Sequence, residues 1–196
     1  AEILIDVDVH HVQQTEVKSL LNMLSKDVSV HGIIVQLPLA DPAATDALLN
    51  RIAPKKDVDG LGAQAEFDSA TALAIQWLLA GYNIELNGKQ VLIIGRGKLV
   101  GTPLQKLLQA SGLEPRMADR KTPDLSKETL AADVIITATG QPGLLRPDML
   151  KEGAVVVDAG TASEDGKTVG DVAPEVYERD DLVITPQKGG VGPLTV

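Results

Sequence analysis

Among 196 residues the sequence has no cysteine. Disulfides, a thiol nucleophile and cysteine-ligated metal sites are thereby excluded. No metal is expected, and a cytoplasmic location suits this composition. Aromatic residues are only 2%, namely Phe67, Trp77, Tyr82 and Tyr177. The core must therefore be built from Val, Ile, Leu and Ala, within a hydrophobic content of 44%. No apolar run approaches the ~20 residues of a membrane span, so no membrane partner is expected. No secretory signal is visible. Basic residues number 18 against 27 acidic ones, for a net charge of −9. A general nucleic-acid binder needs a basic face, so nucleic acid is not an expected partner. A local basic pocket for a phosphate stays compatible with this balance.

What is present is an alternation of short apolar runs with helical stretches, the rhythm of a parallel sheet with crossover helices. Strands are expected over residues 3–9, 32–37, 90–94, 116–118, 134–139, 154–158, 169–173 and 182–185. The run Val91-Leu92-Ile93-Ile94 suits a strand buried on both faces. Helices are expected over 15–25, capped by Thr15 or a neighbour, and over 42–52 after Asp41. Another is expected over 68–81, with Asp68 as cap and Gly81 as stop. Further helices are expected over 103–110, 125–132, 147–150 and 174–178, and Pro103 suits a first helical turn. The first residue is Ala1, directly before a strand-like run. A preceding N-terminal portion, or removal of an initiator Met, is the expectation.

Strand, then Gly95-Arg96-Gly97-Lys98-Leu99-Val100-Gly101, then helix, is the context of a dinucleotide-binding turn. Gly95 permits the tight turn, Gly97 the approach of a pyrophosphate, and Gly101 the packing of helix on sheet. Free N–H groups and the positive dipole end of the helix would meet the phosphates. The strand after this helix ends in Ala118-Asp119-Arg120-Lys121-Thr122. An acidic residue there would bond the ribose 2′-OH of NAD, and an arginine would accept the 2′-phosphate of NADP. Both types are present. With Arg96, Arg120 and Lys121 available to a phosphate, NADP is the expected cofactor, with NAD possible. At the far end, Gly189-Gly190-Val191-Gly192-Pro193 lets the backbone come close to a flat group.

Several blocks now converge. They are Val30-His31-Gly32-Ile33-Ile34-Val35-Gln36-Leu37-Pro38-Leu39 and Pro54-Lys55-Lys56-Asp57-Val58-Asp59-Gly60, together with residues 95–103. Thr137-Ala138-Thr139-Gly140-Gln141-Pro142 and residues 189–195 complete the set. In these blocks and their order the chain resembles the bifunctional methylenetetrahydrofolate dehydrogenase/methenyltetrahydrofolate cyclohydrolase family. That resemblance implies an α/β enzyme, usually a homodimer. Its fold would be a Rossmann-like dinucleotide-binding domain plus an incomplete α/β folate-binding catalytic lobe. The implied organisation is a catalytic lobe over 1–67, a connecting helix over 68–82, an NAD(P)-binding domain over 83–185 and a return segment to the folate cleft over 186–196. The implied chemistry is oxidation of 5,10-methylenetetrahydrofolate with NAD(P)+, then hydrolysis to 10-formyltetrahydrofolate. Tetrahydrofolate derivatives are the expected partners.

By the same resemblance Gln36 is the active-site glutamine, whose amide bonds a lysine, and Asp59 is the aspartate that holds the pterin. Gln36, Leu37, Asp59, Gly192 and Pro193 contact substrate, and Gln36 and Asp59 are the catalytic candidates. Thr71, Gly95, Arg96, Gly97, Val100, Gly101, Arg120, Lys121, Thr139, Gly140, Thr161 and Thr195 line the cofactor. There are departures. The family's Tyr-x-x-x-Lys helix is expected before Ala1, and Lys55 and Lys56 are poor substitutes for its lysine. The usual serine after Gly95-Arg96 is Gly97, and the serine at the 2′-phosphate position is Arg120. Pro-Cys-Thr-Pro reads Ser69-Ala70-Thr71-Ala72 after a shortened segment, and the family's C-terminal helix is expected beyond Val196. A non-catalytic nucleotide- and folate-binding protein lacking the Tyr/Lys pair is the alternative. A different dehydrogenase of shikimate type fits less well, because Gln36 and Asp59 stand in their blocks.

Overall fold

The computed structural model describes residues 5–164 and 166–195. The chain divides into two compact units, Ala1–Phe67 and Asp68–Val196.

The first unit is built on helix α1 (Gln14–Lys26), a 3-10 turn at Pro42–Ala44, helix α2 (Thr45–Leu49) and a second 3-10 turn at Pro54–Lys56. Val17, Leu21 and Leu24 recur at helical spacing, so α1 turns one apolar stripe toward Ile33, Leu48, Leu49 and Ile52. Its N-terminus is set by Gln13, whose N–H donates to Glu16 Oε2 at 3.1 Å, and Thr15 lies inside the helix. At the other end Lys56 Nζ donates to the carbonyls of Leu24 (3.1 Å) and Asp27 (2.6 Å). A cation there satisfies orphan carbonyls and opposes the negative dipole end. Asp41 caps as expected, accepting from Ala43 N at 3.0 Å.

Two expected strands do not form in this unit. Residues 5–9 have no strand partner among the described residues, and Ile5, Val7 and Val9 are exposed; residues 3 and 4 lie outside the described range. Residues 32–37 contribute one parallel bridge, Ile33 to Asp57, with Ile33 N donating to Lys56 O at 2.7 Å. Apolar alternation becomes a strand only where a second backbone runs alongside. The helix expected over 42–52 is likewise divided between the 3-10 turn and α2.

The second unit begins with α3 (Ala70–Gly81), whose preceding residue is Ser69 rather than Asp68. Strands β1 (Val91–Ile94), β2 (Arg116–Ala118), β3 (Val134–Thr137), β4 (Val155–Asp158) and β7 (Val183–Ile184) form a parallel sheet in the order β2-β1-β3-β4-β7. Helices α4 (Gly101–Ala110) and α5 (Leu125–Ala131) follow β1 and β2. Alternate strand residues serve opposite faces. Val91, Ile93, Val134 and Ile136 pack with Ile75, Leu79, Leu104 and Leu108 of α3 and α4. Leu92, Ile94, Ile135 and Val156 pack with Leu145, Met149 and Val176. Burial on both faces explains the unbroken apolar runs.

The strand expected over 169–173 does not form as one element. Val169 ends β6 (Lys167–Val169), paired with β5 (Ala162–Glu164) in an antiparallel hairpin, and Val172 makes a single bridge to Leu145. α4 starts at Gly101, so Pro103 is its third residue. Segments 147–150 and 174–178 form 3-10 turns, Pro147–Met149 and Pro174–Glu178. β1 is flanked by β2 on one side and β3 on the other, so the chain leaves it in opposite directions. In parallel α/β sheets ligands bind at such a switch point, outside the carboxyl ends of the strands. Among the described residues no helix is long and apolar enough to cross a membrane.

Candidate functional site

The turn after β1 is shaped by glycine where the geometry requires it. Gly95 has φ +108, and a Cβ there would lie 2.5 Å from Ala138 O. A Cβ on Gly101 would overlap Gly95 O, so α4 can begin against the turn only without a side chain. A Cβ on Gly97 would meet nothing within 4 Å, and this side of the loop faces open space. Thr102 fastens the loop to α4: its N–H donates to Gly97 O at 3.0 Å and its hydroxyl to Arg96 O at 3.1 Å. Val100 immediately precedes α4. The buried Ser69 hydroxyl, beside Thr71 at the start of α3, donates to Leu99 O at 2.7 Å. The result is a helix N-terminus ringed by a close-packed, open-faced turn, a fit for a pyrophosphate.

At the end of β2 Asp119 faces Arg96, with Nε 2.8 Å from Oδ2. Its Oδ1 accepts from Lys121 N at 2.8 Å. The Lys121 N–H holds the Asp119 carboxyl below the usual carboxylate range; burial opposes it, and the Arg96 guanidinium adds to the lowering. Arg120 and Lys121 have exposed positions in the turn that follows.

The ends of β3 and β4 converge on the same edge. The Cβ position of Gly95 is 3.3 Å from Thr139 Cγ2, and that of Gly140, at φ +66, is 3.2 Å from Thr161 O. Gly95 is thus adjacent to Thr139, and Gly140 to Thr161. Beneath them is a pair of carboxylates that sequence reasoning missed. Asp171 is fully buried and accepts from Thr137 Oγ1 (2.6 Å), Thr139 N (2.7 Å) and Gln141 N (2.8 Å). Asp158 accepts from Gly160 N (2.9 Å), Asp171 N (3.0 Å) and Val172 N (3.0 Å). Burial pushes the Asp158 carboxyl up, against the pull of these three donors and with the Asp171 charge adding to it. Tyr177 bonds Asp158, and burial followed by that charge pushes its phenol up to about 12. The available signal was Gly160 and Gly170, where a Cβ would overlap the carboxylates of Asp171 and Asp158 respectively.

The final block is anchored by Val191, buried in the core beside α3 and α4. It ends in a 3-10 turn, Gly192–Leu194, that leaves Gly192 and Pro193 exposed. The Thr195 hydroxyl donates to Gly192 O at 2.7 Å.

In the first unit Asp57 and Asp59 divide sharply. Asp57 is buried and accepts from Gly62 N at 2.6 Å, which fixes the loop. Asp59 is half-buried, and burial first and the neighbouring Asp57 charge second push its carboxyl up. Gln36 is exposed, with Nε2 donating to Leu37 O at 3.2 Å, and the Leu37–Pro38 peptide is cis. A cavity of about 290 Å³ in this unit is lined by Leu49, Asn50, Ile52, Pro54 and Asp57 and not by Gln36 or Asp59. Lys56 is committed to the end of α1.

Comparison with known proteins matches both units. Residues 69–196 match the tetrahydrofolate dehydrogenase/cyclohydrolase NAD(P)-binding domain, and residues 2–59 match the catalytic domain of the same description. The bifunctional protein FolD of Campylobacter jejuni is 44% identical over 95% of this chain and 70% of its own length. That of Lactobacillus helveticus is 43% identical over 94% of this chain and 68% of its own. The crystal structure of the Campylobacter jejuni enzyme superposes with a TM-score of 0.84, covering 94% of this chain and 69% of that one. The Trypanosoma brucei methylenetetrahydrofolate dehydrogenase-cyclohydrolase, solved with NADP and an inhibitor, superposes at 0.83 with 33% identity over 94% of this chain and 69% of its own. This chain belongs to the tetrahydrofolate dehydrogenase/cyclohydrolase family.

Proposed function

We propose that the protein oxidises 5,10-methylenetetrahydrofolate to 5,10-methenyltetrahydrofolate with NADP+ and hydrolyses the product to 10-formyltetrahydrofolate. The observation that carries this reading is the turn at the switch point. There Gly101 seats α4 against Gly95 and leaves the face at Gly97 open, inside a chain of this family. The nicotinamide, when bound, supplies the acceptor for the hydride lost by the methylene carbon. The chain's own residues bind and orient. The loop 95–101 and the N-terminus of α4 hold the pyrophosphate, with Arg96, Arg120 and Lys121 as cations for the 2′-phosphate. Thr71, Thr139, Gly140, Thr161 and Thr195 line the remainder of the nucleotide.

Asp59, ionised, accepts two parallel N–H bonds from the pterin 2-amino group and ring nitrogen. Leu37 adds apolar contact to the ring. Holding the two reacting rings in contact supplies most of the rate for hydride transfer. In the hydrolysis, water adds to the methenyl carbon and loses a proton; the bond from that carbon to N5 then breaks as the remaining hydroxyl proton passes to N5, leaving the formyl group on N10. The Gln36 amide bonds a lysine of the family's active site and helps set its protonation for that step. The working form is a homodimer in the cytoplasm.

The test is folate-dependent reduction of NADP+ and NAD+ in parallel, followed by absorbance of the reduced nicotinamide. The expected result is reduction with 5,10-methylenetetrahydrofolate, faster with NADP+, and none with tetrahydrofolate lacking the one-carbon unit. No folate-dependent reduction of either cofactor overturns the reading.

A further inference from the structure

We propose that Asp171 is a positioning residue for the nucleotide, acting through the 139–141 loop; this rests on the cofactor site proposed above. Asp171 is fully buried and cannot touch a ligand itself. Yet its carboxylate gathers donors from the β3 end, the Thr137 hydroxyl and the backbone N–H groups of Thr139 and Gln141. The two backbone bonds straddle Gly140, which has φ +66 and lies against Thr161 O. They therefore set the path of the very segment that faces Gly95 across the switch point.

Asp171 is itself held. Its N–H donates to Asp158 Oδ1, and the next N–H, of Val172, donates to Oδ2. The two aspartates thus form a relay from the end of β4 to the end of β3. Gly160 and Gly170 make room for them, since a Cβ at either would overlap a carboxylate. Carboxylates fully buried, as Asp171 is, or partly buried, as Asp158 is, are a costly way to stabilise a fold, because apolar residues of similar volume generally do as well. What a carboxylate does better is accept several backbone N–H groups at fixed angles. Neither aspartate has a role in the chemistry proposed above, and the segment they shape is the one that lines the nucleotide.

Asp171→Asn tests this with little change of volume. An amide has one accepting oxygen, so either Thr139 N or Gln141 N then faces an NH2 group and loses its acceptor. Thr137→Val removes the hydroxyl donor and leaves both backbone bonds. The measurements are calorimetric titration of each protein with NADP+, the KM for 5,10-methylenetetrahydrofolate, and the melting temperature. Expected for Asp171→Asn is a loss of NADP+ affinity of about tenfold or more, with folate KM within about twofold. Thr137→Val is expected to melt lower but to keep its NADP+ affinity. NADP+ affinity unchanged in a folded Asp171→Asn protein overturns the proposal. So does a loss of affinity that tracks melting temperature equally in both variants. Should Asp171→Asn not fold, amide exchange in the wild-type protein decides. Protected Thr139 and Gln141 amides in the absence of nucleotide support the clamp, and free exchange of both overturns it. A wild-type protein that binds neither NADP+ nor NAD+ overturns the function reading itself, whereas normal wild-type binding with an unaffected variant overturns only this inference.

Discussion

Arg96 Nε lies 2.8 Å from Asp119 Oδ2, tying the glycine turn after β1 to the residue that follows β2. Both side chains are substantially exposed, so the pair adds little to stability. Its position gives it another consequence. A carboxylate at the end of β2 is an acceptor for a ribose 2′-OH, and an arginine beside it is a donor to a 2′-phosphate. In the cofactor site proposed above, a bound 2′-phosphate and Asp119 would therefore compete for one guanidinium.

Arg96→Ala should raise the KM for NADP+ by about tenfold or more while changing that for NAD+ by less than about threefold, as expected for loss of a charge-assisted bond. Asp119→Ala should move the ratio the other way, improving NADP+ relative to NAD+ by freeing Arg96 and removing the 2′-OH acceptor. Parallel titrations of both cofactors check this. Equal effects on the two cofactors in both variants would remove the pair from cofactor choice.

Gly101→Ala probes the turn by sterics alone. The added Cβ overlaps Gly95 O, which is backbone and cannot swing aside as a side-chain end could. α4 has to shift, at a cost of about 1–3 kcal/mol in stability. NADP+ affinity should fall at least tenfold. Gly112→Ala is not a suitable control, since Gly112 has φ +81; Gly81→Ala is, because a Cβ there meets nothing within 4 Å. Melting curves and NADP+ titrations of the two alanine variants separate local displacement from general sensitivity.

How far all this was legible in the sequence depends on how local its cause is. Val91–Ile94, Val134–Thr137 and Val155–Asp158 are apolar runs short enough for strands and bounded by turn residues, and burial on both faces is written in them directly. Gly95 and Gly101 were readable because their spacing encodes one contact within a single turn. The alternation Ile5-Asp6-Val7-Asp8-Val9 is just as regular, yet a strand also needs a neighbouring backbone, and residues 5–9 have none among those described. Residues 32–37 make a single bridge among the described residues, Ile33 to Asp57, for the same reason. Asp171 was invisible for a related cause: its three donors come from a segment some thirty residues away, so its burial exists only after the sheet has formed. The rise in the Asp59 pKa depends on burial, which a turn sequence does not reveal.

Asp59→Ala should raise the KM for 5,10-methylenetetrahydrofolate by about 100-fold or more, because the two hydrogen bonds proposed between the pterin and this charged acceptor would disappear together. NADP+ affinity should stay within about twofold. The split between the two ligands is the informative quantity. A variant that loses both equally has lost its fold, and a variant that loses neither removes Asp59 from pterin recognition.

The raised pKa of Asp59 adds a pH dependence with a definite sign. Burial and the Asp57 charge both oppose ionisation, so the folded protein holds the Asp59 proton more tightly than the unfolded chain does. Between the unfolded and folded values the native state binds more protons, and stability therefore falls as pH rises through that window. At neutral pH the ionised Asp59 is a net burden on the fold, relieved when it is protonated. Asp59→Asn, which keeps the shape without the charge, should therefore melt higher than the wild type near neutrality, and the gain should vanish at low pH. Substrate binding runs oppositely. In the role proposed for Asp59 the pterin needs the carboxylate, so folate KM should begin to rise, on lowering the pH, at a value above that of an ordinary aspartate. NADP+ affinity in the same range should not follow that curve. Melting curves and folate KM across pH for both proteins check the two signs together. A wild-type folate KM that is flat down to the ordinary aspartate range, with no stabilisation by Asp59→Asn, would leave Asp59 an unperturbed surface carboxylate.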